Sequence, residues 1–284
     1  EQSRGVAQIE AYSSSATTFN ICVLFFGMLL VAYAYGLDSK TRSVFQTYAT
    51  NSFNNHSLLA TLNIVKSVGS GAIQPPLSKA ANIFGRFEII TFACLLYVVG
   101  TIIEACSANI ETYAGGQVLW TMGFRGFQLL FEIICSDVSS LRNRVLFSYI
   151  TRLPVLINTW ISGNITALVM NNSSWRWGVG AWAIIVPVLT IPIYFSLYLS
   201  KRNAKKQGIV TKAPSIFTGK NIWENMIILF WQFDLVGVIL IAAILCLLLI
   251  PLTIAGGTSS RWAHADVISM LVIGFLCIPA FVIW

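Results

Sequence analysis

Long apolar runs separated by short polar connections occupy most of this chain. Eight runs have the length of about 20 apolar residues that a helix needs to cross a lipid bilayer. This pattern predicts an all-α polytopic membrane protein in which isolated charges interrupt several of the spans. The predicted spans are residues 19–37, 57–78, 87–106, 113–135, 146–170, 177–200, 233–255 and 265–284.

The polar segments between these runs predict the organisation of the chain. Residues 1–18 are interpreted as a cytoplasmic N-terminal tail, and residues 19–200 as a six-helix transmembrane bundle. Residues 201–232 are rich in Lys and contain Gly and Pro, which is typical of a basic cytoplasmic linker. Residues 233–284 then form the first two helices of an incomplete C-terminal part, because the chain stops inside an apolar run. We therefore expect further helices in the intact polypeptide.

The composition agrees with a membrane protein, since 56% of the residues are hydrophobic, 10% are charged and the mean hydropathy is +0.73. The net charge of +7 is not interpreted as a nucleic-acid site, because the basic residues lie in short loops. Basic residues concentrate in cytoplasmic loops, and this bias predicts a cytoplasmic N-terminus. With that orientation, the outer loops carry few cations: Lys40, Arg42, Arg176 and Arg261.

Three glycosylation motifs give an independent indication of orientation. They begin at Asn55, Asn171 and Asn172, in loops predicted to be external, and they favour the secretory route to a plasma, endosomal or vacuolar membrane. The six cysteines occur singly, without the spacing of a metal site. No nucleotide-binding or hydrolase motif occurs, so the sequence predicts neither an enzyme nor a bound metal or cofactor.

Four charged residues lie away from the ends of the predicted spans: Lys66, Arg125, Glu132 and Arg152. A charge at that depth costs several kcal/mol unless it faces a cavity or another charge. Arg125 and Glu132 are seven residues apart and share one helix face, so Glu132 is our first candidate for a proton carrier, with Arg125 as its partner. A purely structural pair and snorkelling to the interface are the alternatives.

A substrate cavity is predicted from the remaining polar and aromatic positions. Three intramembrane cations against one acid favour an anionic guest, and a Pro two residues after Arg152 is expected to bend that helix. A structural role for Lys66 and Arg152 stays open. Asp38 is expected to cap the outer end of the first helix, and Asp234 the start of the seventh. The predicted cavity residues are Lys66, Arg152, Asn158, Trp160, Tyr33, Tyr35 and Asp38.

Several short strings, taken in order, resemble the fungal siderophore-iron transporter branch of the major facilitator superfamily. They include VAYAYGLD, HSLLAT, FGRFE, YVVGTIIEA, SSLRNR, SSWRWG and PLTIAGG. The resemblance covers nearly the whole chain. It implies a major facilitator fold, with an N-terminal six-helix half followed by the first helices of the second half.

The resemblance also implies a cytoplasmic gate. In the superfamily, a signature loop between helices 2 and 3 pairs with charges on neighbouring helices and holds the inward side shut. This chain departs from the signature, because Asn82 replaces an acid and Leu129 replaces the Gly of the helix-4 RxxQG pattern that includes Arg125. The implied gate residues are Asn82, Gly85, Arg86, Asp137, Arg142 and Arg144.

The function implied is a proton-coupled secondary transporter that imports a ferric siderophore or related iron chelate by alternating access. Its expected partners are the iron chelate, protons and the lipid bilayer, and it is expected to be monomeric together with its C-terminal half. A haem importer, a glutathione/proton exchanger and a drug/proton antiporter of the same fold are alternatives. A non-transporting membrane receptor is an alternative of another class, motivated by the departures at Asn82 and Leu129.

Overall fold

The computed structural model describes residues 17–53, 59–139, 142–206, 222–255 and 262–284, and the regular structure in these ranges is helical. Predicted features at Asn55 and in most of the N-terminal tail lie outside the described residues. The described helices are α1 (Thr18–Ser52), α2 (Leu59–Phe84), α3 (Arg86–Ala105), α4 (Ile110–Val138), α5 (Arg144–Ile150), α6 (Pro154–Asn172), α7 (Trp175–Gly180), α8 (Trp182–Lys206), α9 (Ile222–Phe233), α10 (Leu235–Ala255) and α11 (Ala265–Ile283).

Seven segments of the described chain are long and apolar enough to cross a membrane. In two of them a pair of consecutive helices shares one span, namely α5 with α6 and α7 with α8. The helix α2 has the length of a span, but it is not among the seven, because polar residues such as Asn63, Lys66 and Gln74 interrupt its apolar surface. The prediction of an all-α polytopic membrane protein is confirmed.

The helix α1 is much longer than predicted. It continues to Ser52 instead of ending at residue 37, and its 35 residues span roughly 50 Å at about 1.5 Å per residue. Asp38 therefore does not cap the helix, as expected from the sequence, but lies in its interior with no exposed surface. The prediction failed because three charges, at Asp38, Lys40 and Arg42, lower the hydropathy of this stretch without ending the helix.

The helices α3 and α4 approach each other backbone to backbone. A methyl group at Gly100 would lie 2.2 Å from the Trp120 backbone nitrogen, and one at Gly123 would lie 2.4 Å from the Tyr97 backbone nitrogen. Such distances leave no room for a side chain, so glycine is required by packing at both positions. This contact fixes the polar side chains of α3 beside those of α4.

In the described residues, helix breaks interrupt the predicted spans at residues 151–153, at Ala181 and at Asp234. Residues 151–153 separate α5 from α6, and Pro154 occupies the start of α6, where its missing N–H costs no hydrogen bond. Asp234 separates α9 from α10, with φ of 49°. Its Oδ1 accepts hydrogen bonds from the Gly237 backbone N–H at 3.2 Å and from the Trp284 indole N–H at 2.8 Å. These bonds, the indole first, lower the pKa of Asp234, and they support its predicted capping role.

The predicted basic linker is partly helical. The end of α8 extends into it as far as Lys206, and α9 begins at Ile222, well before the predicted start of the next span at residue 233. Residues 207–221 lie outside the described ranges. The basic residues at the start of the linker therefore continue a spanning helix.

Candidate functional site

Besides the pair of Arg86 and Asp137, charged side chains in the described part of the bundle form two groups. One lines a cleft beside the break between α5 and α6, which we call the α5–α6 cleft. The other is a buried set on α1, α3 and α4 around Arg42, which we call the Arg42 cluster. It comprises Asp38, Arg42, Tyr97, Thr101, Glu104 and Trp120.

The α5–α6 cleft has a volume of about 380 Å³. An ion pair between Glu132 of α4 and Arg152 stands in it, and both side chains are substantially exposed. Tyr35 of α1 contributes an aromatic wall. The lining residues are Tyr35, Gln128, Glu132, Tyr149, Thr151, Arg152, Leu153, Val155 and Leu156. The cleft therefore offers one cation, one acid, hydroxyl groups and apolar surface to a guest.

Arg152 lies in the short turn between α5 and α6. Thr151 and Leu153 keep helical φ and ψ, and the Val155 N–H donates to the Arg152 backbone oxygen at 3.1 Å, so residues 151–153 form a tighter turn before Pro154. The Arg152 guanidinium then donates to a carboxylate oxygen of Glu132 across the cleft. Since a charge-assisted bond of this kind is broken at modest cost when both partners reach water, the pair can exchange partners.

The predicted pair of Arg125 with Glu132 is not formed. Arg125 is half-buried and donates from Nη1 to Oε1 of Gln128 at 2.9 Å, while Glu132 is bound to Arg152. The Nε atom of Arg125 is buried without a hydrogen-bond partner in the structure. Gln128 lies one helical turn from Arg125 and accepts from its guanidinium, while Glu132 lies a further turn along α4.

The other predicted cavity residues lie away from the α5–α6 cleft, except Tyr35. Asn158 is completely buried and donates from Nδ2 to the backbone oxygen of Tyr33 at 3.0 Å, which ties α6 to α1. Trp160 is 88% exposed and is not one of the residues that line this cleft. Lys66 lies near the Arg42 cluster, with Nζ 5.9 Å from the Trp120 ring centroid.

The Arg42 cluster is a dense ionic network with almost no exposed surface. The Arg42 guanidinium binds both oxygens of Asp38 at 3.0 Å and Oε2 of Glu104 at 2.7 Å. It also donates to the Thr101 hydroxyl at 3.2 Å and lies 4.4 Å from the Trp120 ring centroid. The network joins α1 to α3 and α4.

Sequence reasoning missed most of this cluster. Arg42 was assigned to an outer loop, Asp38 to a helix cap, and Glu104 was not considered. The spacing of four residues between Asp38 and Arg42 is the signal that was available, since it pairs opposite charges on one helix face. With these residues included, the bundle holds four cations and three acids instead of three and one, which weakens the argument for an anionic guest.

The implied gate residues are brought together only in part. Arg86 is buried and binds Oδ2 of Asp137, through Nε at 3.1 Å and Nη2 at 3.0 Å. Gly85 starts α3 with φ of 110°, a conformation that favours glycine. Arg144 donates to the backbone oxygen of Ser136 at 3.1 Å. The two remaining residues of the set, Asn82 and Arg142, are exposed.

Two of the predicted glycosylation sites, Asn171 and Asn172, are exposed at the end of α6. Among the residues that the structure describes, no three His, Cys, Asp or Glu side chains stand close enough to hold a metal ion. The groups that these residues offer to a ligand are therefore ion pairs, amides and aromatic rings.

Comparison with known proteins identifies relatives over nearly all of the chain. It is 35% identical to the siderophore iron transporter mirC of Emericella nidulans, over 99% of this chain and 46% of that protein. It is 38% identical to siderophore iron transporter 1 of Saccharomyces cerevisiae, over 99% and 45% respectively. It is 32% identical to the MFS siderochrome iron transporter C of Aspergillus fumigatus, over 99% and 46%. The chain thus spans about half the length of the curated relatives it matches.

No family model matches the chain. Among solved structures, the crystal structure of a D-xylose-proton symporter matches with a TM-score of 0.46 and 15% identity, over 90% of this chain and 66% of that one.

Membrane-length helices that enclose charged side chains define this chain as part of a polytopic membrane protein. The resemblance to the fungal siderophore iron transporters of the major facilitator superfamily is confirmed, and the chain is homologous to about half of such a transporter. The names of these relatives are those of transporters, in agreement with the expectation that the chain is not an enzyme.

Proposed function

We propose that the polypeptide containing this chain is a proton-coupled secondary transporter that imports a ferric siderophore by alternating access. The names of its relatives support the substrate class. The observation that carries the mechanism is the exposed ion pair of Glu132 and Arg152 in the α5–α6 cleft. A cation and an acid that already neutralise each other can be separated by a guest and a proton together.

The chemistry of the cleft fits an oxygen-rich chelate. The ligand oxygens of a ferric siderophore accept hydrogen bonds, and a guanidinium is the strongest donor for them in the cleft. The aromatic rings of Tyr35 and Tyr149 cover the apolar rim of such a guest. When the chelate takes the donors of Arg152, Glu132 loses its counter-ion and a proton neutralises the carboxylate. Chelate and proton then enter together.

The test is uptake of iron-55 chelates by cells that lack their own siderophore carriers and express the full-length protein. We expect accumulation that a protonophore abolishes. Replacement of Arg152 by Gln removes a charge-assisted hydrogen bond worth about 1.5–3 kcal/mol, so the apparent affinity should fall roughly ten- to a hundredfold. The matched control is Arg202→Gln, an exposed cation at the end of α8, which should leave uptake unchanged.

Glu132→Gln separates proton coupling from binding. The variant keeps hydrogen-bonding capacity but cannot ionise, so chelate binding should persist while uptake depends less steeply on external pH. Unchanged uptake with an unchanged pH profile removes Glu132 from the proton path. Accumulation of haem, glutathione or a drug instead of the chelate selects a different carrier, and binding without accumulation selects a receptor.

A further inference from the structure

The Arg42 cluster contains more negative than positive groups. Asp38, Arg42 and Glu104 are at most 1% exposed, and they provide two carboxylates for one guanidinium. A net charge held away from water costs several kcal/mol even after local relaxation. A proton on one carboxylate removes that net charge, so the question is which oxygen accepts it.

Asp38 is fully supplied with donors. Its Oδ1 accepts from Arg42 Nε at 3.0 Å, and its Oδ2 accepts from Arg42 Nη2 at 3.0 Å and from the Trp120 indole N–H at 2.9 Å. The Tyr97 hydroxyl donates to the same Oδ2. A carboxylate that accepts this many hydrogen bonds is stabilised as the anion, and a proton on it would displace one of the donors.

Glu104 is supplied on one oxygen only. Its Oε2 accepts from Arg42 Nη1 at 2.7 Å, whereas its Oε1 is buried and has no hydrogen-bond partner in the structure. An acceptor left unpaired in a buried site is costly, and for an ionised group the cost is larger. A proton on Oε1 would neutralise Glu104 and leave the Arg42 bond to Oε2 in place.

The charged and titratable groups around Glu104 come from four helices. Arg42 and Asp38 face it from α1, Lys66 from α2, and Tyr113 from α4, while Tyr97 belongs to its own helix, α3. Lys66 is only half-buried, and its Nζ lies 3.5 Å from Oε1 of Gln46. Lys66 acts on Glu104 through its charge alone, and no hydrogen bond from the amine reaches Oε1 of Glu104.

We propose that Glu104 is a second proton-binding site of the protein, with the proton on Oε1, separate from Glu132 in the α5–α6 cleft. The step is a simple protonation: a proton from water forms the O–H bond on Oε1, and the cluster changes from a net charge of −1 to zero. Because Arg42 links α1 to α3 through Glu104, this proton sets the strength of the contact between those helices. The site deepens the proton coupling proposed above, but its existence does not require transport.

Infrared spectroscopy of the purified full-length protein tests this directly. A protonated carboxyl gives a C=O stretching band that a carboxylate lacks. We expect such a band at neutral pH, which disappears in alkaline buffer and shifts when the protein carries carbon-13 glutamate. Glu104→Gln should remove the band, while Glu132→Gln, the matched acid in the cleft, should leave it. If E104Q does not fold, a band that shifts with labelled glutamate and persists in Glu132→Gln still belongs to a glutamate other than Glu132.

A transport measurement adds a readout that a merely structural residue would not change. Glu104→Gln imitates the protonated acid, so the variant should melt close to the unaltered protein and show a flatter pH profile of uptake. The proposal is overturned if the band is absent at neutral pH, if it persists in folded E104Q, or if it shifts with labelled aspartate instead of glutamate. Since the spectrum is recorded without substrate, this failure is distinct from failure of the transport proposal.

Discussion

At the scale of single residues, the ion pair of Arg86 and Asp137 is the contact that ties the turn between α2 and α3 to the end of α4. Arg86 also donates from Nη1 to the backbone oxygen of Ala81 at 2.9 Å, so its guanidinium is held from two sides. Only 6% of the Arg86 side chain is exposed. Its charge therefore depends on Asp137 for compensation.

We predict that Asp137→Asn destabilises the protein by about 3 kcal/mol, because the variant leaves the buried Arg86 cation without its counter-ion. The measurement is the midpoint of thermal unfolding of the purified full-length protein. Glu88→Gln is the matched control, since Glu88 is an exposed acid in the first turn of α3 and should change stability by less than about 1 kcal/mol. Equal stability of the two variants would show that water already compensates Arg86.

The sequence indicated some of these charged residues and not others, for a physical reason. Glu132 and Arg152 stand out because apolar residues surround them in the sequence, so their need for a cavity or a partner could be predicted. Asp38 and Arg42 lie close together, and a hydropathy argument therefore placed them outside the span. Their compensation comes from Glu104, Tyr97 and Trp120 on other helices, which no local pattern reveals.

At the scale of helices, the contact between α3 and α4 depends on glycines that leave no space for a side chain. We predict that Gly100→Ala destabilises the protein by about 1–3 kcal/mol or more, because the added methyl group would meet the α4 backbone at 2.2 Å. Thermal unfolding measures the effect. The shift of α4 should also disturb the bond between Trp120 and Asp38, which changes the indole fluorescence.

The control for Gly100 is Gly115→Ala in α4, where an added methyl group meets nothing within 4 Å. Alanine is favoured over glycine in a helix by roughly 0.5–1 kcal/mol, so this variant should be as stable as the original protein or slightly more. If the Gly100 and Gly115 variants unfolded at the same temperature, α3 and α4 could move apart without a loss of stability, and the prediction would be wrong.

Helix ends were harder to predict than helix existence. The break before Pro154 could be expected, because proline removes a backbone donor and restricts the residue before it. The long extension of α1 could not, because it is stabilised by packing of Phe45 and Ala49 in a buried group with Tyr113 and Trp175. Tertiary contacts of this kind override the local preference for a loop.

At the scale of the whole molecule, the exposed apolar surface requires a lipid environment. Large hydrophobic side chains are exposed along α6, α8 and α11, as on the surface of a protein whose solvent is hydrocarbon. The same surface in water would be a large adhesive patch. Because this apolar surface is a property of the composition, the class of protein could be predicted from the sequence. The substrate cavity could not, because the chain spans about half the length of its relatives.

The spanning helices allow a specific prediction of which residues lie on each side of the membrane. A single span, Trp175–Ser200, separates Asn172 from Arg202, so these exposed residues must lie on opposite sides of the membrane. The preceding span, Arg144–Asn172, likewise separates Arg142 from Asn172. Because basic residues stay in the cytoplasm, we predict that Arg142 and Arg202 share the inner side and Asn172 faces outward.

Single cysteines at these three positions test the orientation in a background without native cysteines, of which Cys22 and Cys106 in this chain are exposed. A membrane-impermeant maleimide should label Asn172→Cys on intact cells, whereas Arg142→Cys and Arg202→Cys should react only after permeabilisation. The Arg142 variant is the control for Arg202, since two spans return the chain to the same side. Labelling of Asn172→Cys and Arg202→Cys from the same side would contradict the spanning helix between them. Labelling of Arg142→Cys and Arg202→Cys on intact cells, with Asn172→Cys protected, would reverse the predicted orientation but keep the fold.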